Sequence, residues 1–422
     1  MISTATTPPM GWNSWDCYGS SVTEAEVLAN ARFMADRLRP YGWDTVVVDI
    51  QWYEPTARAG GYNAGAPLCL DGYGRPVPAP NRFPSARDGR GFAPLAAQVH
   101  DLGLRFGIHV MRGVPRLAVR DALPVLGTGY TAAQVVDPGS TCAWNTDNVG
   151  LDHDHPGAQA YYDSLFAQFA AWGVDFVKAD DMLYPYHARE IAAFSRALRG
   201  CGRPMVLSLS PGRALSLEYA EHLRTHADMW RVSDDLWDRW PDVRAQFDRM
   251  AMWAPYAGPG RWPDADMLPL GRIGIRAERG PDRSSRLSRV EQQTLLTLWC
   301  VARSPLMFGG DLPGTDPETL ALLTNSAALG VLSTSTGNRQ VLRDDDLVVW
   351  TAERTSGPGR YVALFNAGEQ PLDAHVPWAA IGCAPGGRGT DLWAGTGVPG
   401  GGSGLAASLP PHGSLLLLVE PA

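Results

Sequence analysis

The chain is 422 residues long and carries a formal net charge of −8, with 45% hydrophobic and 19% charged residues. This balance is typical of a globular protein longer than one hydrophobic core supports, so we expect one large domain and one smaller domain. The acidic charge disfavours nucleic acid as a partner, and no apolar run reaches the length of about 18 residues that a membrane-spanning helix needs.

The amino terminus and the cysteines indicate in which cellular compartment the protein works and whether it binds a metal. The opening MISTATTPPMGW has no basic start and no apolar run of signal-peptide length, which favours the cytoplasm unless a leader has been trimmed. The six cysteines form no CxxC pair and have no metal-ligand spacing, so we expect free thiols. The acidic and histidine residues at 152–155 are interpreted as a solvated loop. We predict neither a metal nor another cofactor, and the oligomeric state, a homo-oligomer included, stays open.

A repeated unit occupies the first part of the chain, in which a helical stretch ends at a glycine and a β-rich run follows. The three clear copies are Gly42 before 44–50, Gly103 before 104–110 and Gly173 before 174–178. Glycine just past a helix end supplies the left-handed conformation found there, so the repeat predicts a parallel sheet built of βα units.

Further β-rich runs at 205–209, 229–232 and 304–308 bring the strand count close to eight. That count favours a closed barrel, and no GxGxxG follows the first strand, which disfavours dinucleotide binding. The segments 53–91 and 111–154 are long and rich in glycine, proline and aromatic residues. In a barrel both would lie on the C-terminal face, where active-site loops occur.

The pattern changes after about residue 332, where short β-rich runs are separated by Gly/Pro turns without a helical period. We therefore predict an α/β fold, a (β/α)₈ TIM barrel in residues 1–330 followed by a C-terminal antiparallel β-sandwich in residues 331–422.

The run VDFVKADDM is an apolar strand that ends in charged residues. Side chains alternate along a strand, so Lys178 and Asp180 share a face while Asp181 lies beyond the strand end. A lysine two residues from a carboxylate favours the ionised form, as a nucleophile requires. A structural ion pair at the strand end is the alternative interpretation.

A second charged cluster is MWRVSDDLWDRW. In an extended strand Arg231, Ser233 and Asp235 would point to one face, and Asp234 would point to the other. An arginine beside a carboxylate can bind a substrate hydroxyl while the carboxylate exchanges protons, which favours Asp235 over Asp234 as the acid/base. Two carboxylates on different barrel strands, without a metal cluster, suit glycoside hydrolysis.

Six motifs, in order, resemble those of glycoside hydrolase family 27, the α-galactosidase and α-N-acetylgalactosaminidase family. They are TPPMGWNSW, GLRFGI, WGVDFVKADD, WRVSDD, PDADML and SPLMFGGDL. The resemblance implies a hydrolase acting on a glycoside or oligosaccharide, with Asp180 as nucleophile and Asp235 as acid/base. It also implies substrate-binding positions at Trp15, Asp49, His109, Lys178, Ser210, Arg231 and Asp266.

Three positions depart from the family pattern. Family galactosidases have adjacent aspartates for the 4- and 6-hydroxyls where this chain has Asp49 followed by Ile50. Ser210 stands where galactosidases tend to have glutamate, which resembles the N-acetylgalactosaminidase pattern. The family often pairs a cysteine near Cys142 with one two residues beyond the nucleophile, and Met182 at that position excludes the disulfide.

The sequence therefore predicts a retaining exo-glycosidase for α-galactoside-like linkages. An α-N-acetylgalactosaminide, a β-L-arabinopyranoside and an isomalto-type α-glucoside remain alternative substrates. A carbohydrate-binding pseudoenzyme is the alternative from another functional class.

Overall fold

The computed structural model describes residues 5–421 and has a parallel eight-stranded sheet. Its strands are β1 (Met10–Asn13), β2 (Thr45–Val48), β3 (Arg105–Met111), β4 (Phe176–Asp180), β5 (Val206–Leu209), β6 (Met229–Arg231), β7 (Trp262–Asp264) and β8 (Leu306–Phe308). Neighbours in sequence pair in space and β8 pairs with β1. A parallel bridge from Leu268, just after β7, to Phe308 joins the remaining edges, which confirms the predicted barrel.

One main helix follows each barrel strand and covers the outside of the sheet. In chain order these are α1 (Glu24–Phe33), α2 (Ala93–Asp101), α3 (Ala158–Trp172), α4 (Ala188–Gly200), α5 (Ala220–His226), α6 (Trp240–Trp253), α7 (Arg289–Ala302) and α8 (Pro317–Leu323). Shorter helices lie at Trp15–Tyr18, Arg116–Arg120, Ser326–Leu329 and Val331–Thr334. None of the helices in residues 5–421 is long and apolar enough to cross a membrane.

Local sequence signals explain where the first helices begin and end. Thr23 and Glu26 form a capping box at the start of α1. Gly173 closes α3 in the left-handed conformation with φ of 81°, and its N–H donates to the carbonyl of Ala170. A residue with a Cβ would be strained there, so glycine ends the helix and turns the chain into β4.

The C-terminal part contains two antiparallel sheets. Its strands are β9 (Ser335–Asp344), β10 (Leu347–Arg354), β11 (Arg360–Asn366), β12 (Leu372–Pro377), β13 (Arg388–Asp391), β14 (Gly397–Val398), β15 (Gly404–Leu409) and β16 (Ser414–Glu420). Six strands pair in the order β9-β10-β11-β16-β13-β14, and β12 pairs with β15. Apolar side chains from both sheets, among them Val362, Leu364, Val376 and Leu405, form the core between them. The predicted sandwich is confirmed.

The other face of the six-stranded sheet packs against the barrel. Phe365 of β11 contacts Phe247 of α6 at 5.0 Å between ring centroids. Trp240 stacks on His412, whose Nδ1 lies 2.7 Å from a carboxylate oxygen of Glu291 on α7. The barrel and the sandwich therefore share one continuous hydrophobic core.

Candidate active site

A pocket opens at the C-terminal ends of the barrel strands. It is lined by residues that lie within or shortly after β1, β2, β4, β6 and β7, together with one loop residue, namely Trp15, Asp16, Asp49, Tyr62, Lys178, Asp180, Arg231, Asp235, Leu236, Asp266 and Met267. Seven of the nine predicted site residues belong to this lining. The C-terminal mouth is also where TIM-barrel enzymes carry their active sites.

One side of the pocket, which we call the β4 wall, consists of Asp49, Lys178 and Asp180, and His109 lies buried behind Asp180. Lys178 Nζ donates to Asp49 Oδ2 over 2.8 Å, and Asn13 Nδ2 donates to the same oxygen over 2.7 Å. Burial is the largest single effect and opposes ionisation of Asp49, but the charges of Lys178 and His109 and the hydrogen bonds from Lys178 and Ile50 together outweigh it and lower the pKa of Asp49. Asp49 is therefore a fixed carboxylate, held by Lys178, Asn13 and the backbone N–H of Ile50.

Asp180 ends β4 and takes its main hydrogen bond from the neighbouring strand. His109 Nε2 donates to Asp180 Oδ2 over 3.0 Å, and the backbone N–H of Asp181 donates to Oδ1 over 2.9 Å. Burial opposes ionisation, yet the His109 hydrogen bond, with smaller contributions from the charges of His109 and Lys178, holds the pKa of Asp180 below its usual range. The sequence interpretation assigned this effect to Lys178, which contributes through its charge, although its hydrogen bond is with Asp49 and His109 contributes more.

The opposite side, the β6 wall, consists of Arg231, Asp235 and Asp266. Arg231 bridges the two carboxylates, with Nη2 3.0 Å from Asp235 Oδ1 and Nη1 2.9 Å from Asp266 Oδ1. The backbone N–H of Leu236 donates to Asp266 Oδ2 over 2.6 Å. The Asp235 side chain is 43% exposed, whereas that of Asp180 is 14% exposed. Asp235 therefore faces the solvent side of the pocket.

Aromatic rings form the rim near β1. Trp15 stacks on Tyr62 with 5.3 Å between centroids and 13° between planes, and Tyr62 also contacts Trp144 at 5.2 Å. Tyr62 and Trp144 come from the long loops after β2 and β3, which the sequence analysis predicted as active-site loops. Flat aromatic faces of this kind can pack on the apolar face of a sugar ring.

Two predicted site residues lie outside the pocket lining. His109 is fully buried and reaches the pocket through Asp180. Ser210, 1% exposed, lines a deeper cavity inside the barrel together with Lys178, Arg231 and Asp266. Within residues 5–421 its Oγ is buried without a hydrogen-bond partner.

Sequence reasoning missed Asp16, Tyr62, Leu236 and Met267 among the lining residues. Asp16, Leu236 and Met267 each directly follow a predicted site residue, so adjacency was the available signal. Tyr62 lay in a segment predicted as an active-site loop, but nothing in that loop's sequence singled it out.

Among residues 5–421, neither a cysteine nor a residue of the acidic–histidine cluster belongs to the pocket lining. Cys142 is a free thiol that interacts with Asp181, and burial raises the pKa of this thiol to about 12. Asp154 pairs with Arg189 at 2.6 Å, and His153 lies 3.2 Å from Glu190. Among residues 5–421, no group of three or more His, Cys, Asp or Glu side chains is arranged to hold a metal ion.

Comparisons with known proteins agree with this geometry. The family profile described as "Alpha galactosidase A" matches residues 148–333, and "Alpha galactosidase C-terminal beta sandwich domain" matches residues 344–419. A GH27 β-L-arabinopyranosidase from Geobacillus stearothermophilus is 51% identical, with a TM-score of 0.97 over 99% of this chain and 97% of that chain. The chain belongs to glycoside hydrolase family 27. It is therefore a glycoside hydrolase, as the motifs predicted.

Other family members carry different activities in their names. A candidate α-N-acetylgalactosaminidase from Bacillus halodurans is 47% identical, with a TM-score of 0.90 over 100% of this chain and 99% of that chain. An α-galactosidase from Oryza sativa is 27% identical over 98% of this chain and 85% of its own length. Family membership therefore defines the reaction class but not the sugar.

Proposed function

We propose that this enzyme is an exo-acting retaining glycosidase that releases terminal β-L-arabinopyranosyl units. The observation that carries the proposal is Ile50, which follows Asp49 where family galactosidases have a second aspartate. β-L-Arabinopyranose has the ring configuration of α-D-galactopyranose and lacks only the hydroxymethyl group on C5. The 51% identical Geobacillus neighbour is named a β-L-arabinopyranosidase, which supports the same sugar.

The hydrogen bonds around Asp49 explain the preference. Its Oδ2 accepts from Lys178 and Asn13, and its Oδ1 accepts from the backbone N–H of Ile50 over 2.8 Å. A carboxylate has about four acceptor positions, so capacity remains for one sugar hydroxyl. Ile50 is 1% exposed in an apolar cluster with Trp15 and offers no acceptor for a 6-hydroxyl. An unmatched buried hydroxyl would cost about 1–3 kcal/mol, which disfavours galactose.

The two walls supply the two carboxylates of a double displacement. In the first step an Asp180 oxygen attacks the anomeric carbon, the glycosidic C–O bond breaks, and Asp235 donates its proton to the leaving oxygen. In the second step water attacks the same carbon, Asp235 takes the water proton, and the bond to Asp180 breaks. The ionised state of Asp180 and the open position of Asp235 support these roles.

The sugar assignment is tested with 4-nitrophenyl glycosides of β-L-arabinopyranose, α-D-galactopyranose, α-N-acetylgalactosamine and α-D-glucose. We expect kcat/KM for the arabinopyranoside to exceed that for the galactoside by about 5- to 150-fold, the equivalent of one unmatched hydroxyl. A faster galactoside would overturn the sugar assignment. Absence of turnover on all four would favour the binding-only pseudoenzyme.

The variant Ile50→Asp restores the carboxylate that galactosidases have. It should raise the galactoside-to-arabinopyranoside ratio of kcat/KM by about tenfold or more. The matched control is Ile50→Val, which keeps an apolar side chain and should leave the ratio within about twofold. An unchanged ratio in Ile50→Asp, with the fold intact by circular dichroism, would show that Ile50 does not select the sugar.

An α-N-acetylgalactosaminide is the second candidate substrate, favoured by Ser210. The small side chain lines a cavity under the pocket, and its Oγ has no partner within residues 5–421. Ser210→Glu would fill that space. A fall in kcat/KM confined to the N-acetylated substrate would support this candidate.

The stereochemical outcome tests the mechanism independently of the sugar. Carboxyl groups about 5–5.5 Å apart force attack by the carboxylate, whereas roughly 6.5–9.5 Å admits a water and gives inversion. We expect retention, so the first-formed sugar has the anomeric configuration of the substrate. Proton NMR during the first minutes, before mutarotation, measures this. An inverted first product would remove Asp180 from the nucleophile role.

A further inference from the structure

Asp16 is an acidic residue of the pocket for which the double displacement supplies no role. It lies in the short helix Trp15–Tyr18 after β1, is 3% exposed and belongs to the pocket lining. Within residues 5–421, its buried Oδ2 has no hydrogen-bond partner. A buried carboxyl oxygen without a partner is costly, so such an atom in a ligand pocket requires an explanation.

The other pocket acids differ from Asp16 in this respect. Asp49 binds Lys178, and Asp180 binds His109. Asp235 and Asp266 both bind Arg231. Each of these carboxylates therefore has a basic side chain within 3.0 Å, whereas none of the ion pairs found among residues 5–421 includes Asp16.

The backbone fixes Asp16 and leaves space for its carboxyl group. The N–H of Gly274 donates to the Asp16 carbonyl over 2.8 Å. A Cβ at Gly309, just after β8, would lie 2.0 Å from Asp16 Oδ2, so the absence of a side chain there makes room for the carboxyl group. The backbone of Asp16 is thus held in place, and Gly309 leaves room for the carboxyl group.

We propose that Asp16 is a specificity-determining residue whose carboxyl group hydrogen-bonds a hydroxyl of the bound pyranose. This inference rests on the proposed function, because it requires a sugar ring in the pocket. A sugar hydroxyl can both donate and accept, so it supplies the partner that Asp16 Oδ2 lacks among residues 5–421.

The surroundings also determine the charge of Asp16. The charged groups that face it are the carboxylates Asp266, Asp235 and Asp49 and the ammonium group of Lys178. Burial, followed by repulsion from the three carboxylates, raises the pKa of Asp16 well above its ordinary value, and Lys178 only partly opposes this. A neutral Asp16 can donate its proton to a sugar oxygen, whereas ionised Asp16 can only accept.

The test compares Asp16→Ala and Asp16→Asn with wild type. The measurements are the Kd of L-arabinose by calorimetry, and kcat/KM on the best glycoside of the four-substrate panel. Asp16→Ala should weaken sugar binding and lower kcat/KM by about tenfold or more, since it removes the partner. Asp16→Asn retains a donor and an acceptor of the same size, so it should recover most of that loss.

The pH dependence separates this role from simple packing. Wild-type sugar binding should weaken as pH rises through the pKa of Asp16, and Asp16→Asn should lack that component. Because the raised pKa favours protonated Asp16 in the fold, its ionisation destabilises the folded state at higher pH. The gain in melting temperature of Asp16→Asn over wild type should therefore grow with pH.

Asp311→Asn is the matched control, because Asp311 is a buried acid bonded to Tyr18 of the same short helix and does not line the pocket. It should change stability without changing the pH profile of sugar binding. Wild-type sugar affinity in Asp16→Ala would overturn the inference, as would identical pH profiles in wild type and Asp16→Asn. If only the sugar assignment is wrong, the wild-type enzyme will have its highest kcat/KM on another glycoside of the four-substrate panel.

Discussion

The β4 wall and the β6 wall both present an aspartate to the pocket, but they hold it differently. Asp180 is enclosed, with His109 and a backbone N–H donating to its two oxygens. Asp235 is 43% exposed, and within residues 5–421 its side chain binds only Arg231. The difference supports the two roles proposed for these aspartates, because enclosure with donors favours a permanent carboxylate and exposure favours proton exchange.

Removing each aspartate should produce the largest effects and the clearest contrast. Asp180→Ala should lower kcat by at least about 10⁴-fold on every substrate, because all leaving groups need the nucleophile. Asp235→Ala should lower turnover of a natural disaccharide by about 10²–10⁴-fold but largely spare an activated aryl glycoside. The measurement is kcat on both substrate types. Equal losses in Asp235→Ala would remove Asp235 from the acid role.

Arg231→Lys tests how the β6 wall is organised. Lysine keeps the positive charge but cannot bridge Asp235 and Asp266 with a planar fork, so kcat/KM should fall by about tenfold to a hundredfold. The control Arg276→Lys changes an arginine that binds Glu26 at 2.6 Å outside the pocket, and it should leave kcat/KM unchanged. Matching losses in both variants would indicate a general folding effect.

His109→Phe tests the β4 wall. Loss of the hydrogen bond should raise the pKa of Asp180, so the acid limb of kcat/KM should move up by about one pH unit. The depressed pKa of Asp180 also stabilises the fold above the ordinary Asp pKa, a contribution that is lost as pH falls through the folded-state pKa. His109→Phe should therefore reduce the loss of melting temperature on acidification.

His100→Phe is the matched control for that prediction. His100 Nε2 lies 2.7 Å from Asp175 Oδ2, next to the start of β4 and away from the pocket. The variant His100→Phe removes a comparable histidine–aspartate contact and should leave the acid limb of kcat/KM unchanged. An identical shift in both variants would show that His109 does not act specifically on Asp180.

Chelation should have the smallest effect. Treatment with EDTA should leave kcat/KM unchanged, because neither step of the two-carboxylate displacement needs a cation. If EDTA abolished activity and one divalent ion restored it, the mechanism would depend on a metal and the two aspartates alone would not explain catalysis.

The sequence predicted the strands and helices more completely than the contacts between side chains. The helix–glycine–strand repeat predicted the barrel, and residue alternation placed Lys178 with Asp180 and Arg231 with Asp235 on the pocket side. It did not predict that Lys178 would bind Asp49, because that contact joins positions 129 residues apart. The division of the chain at residues 330 and 331 stays a prediction.

By itself the amino-acid sequence determined the barrel, the sandwich and the family, and it singled out two aspartates that line the pocket, because periodicity, turn residues and ordered motifs are local properties. Only the tertiary structure decided that His109 bonds Asp180, that Arg231 bridges two carboxylates and that Asp16 lines the pocket with its Oδ2 unpartnered among residues 5–421. These features depend on the register between β3 and β4 and on the space left at Gly309. Distances across a barrel mouth arise from closure of the sheet, which places residues far apart in sequence within hydrogen-bonding distance.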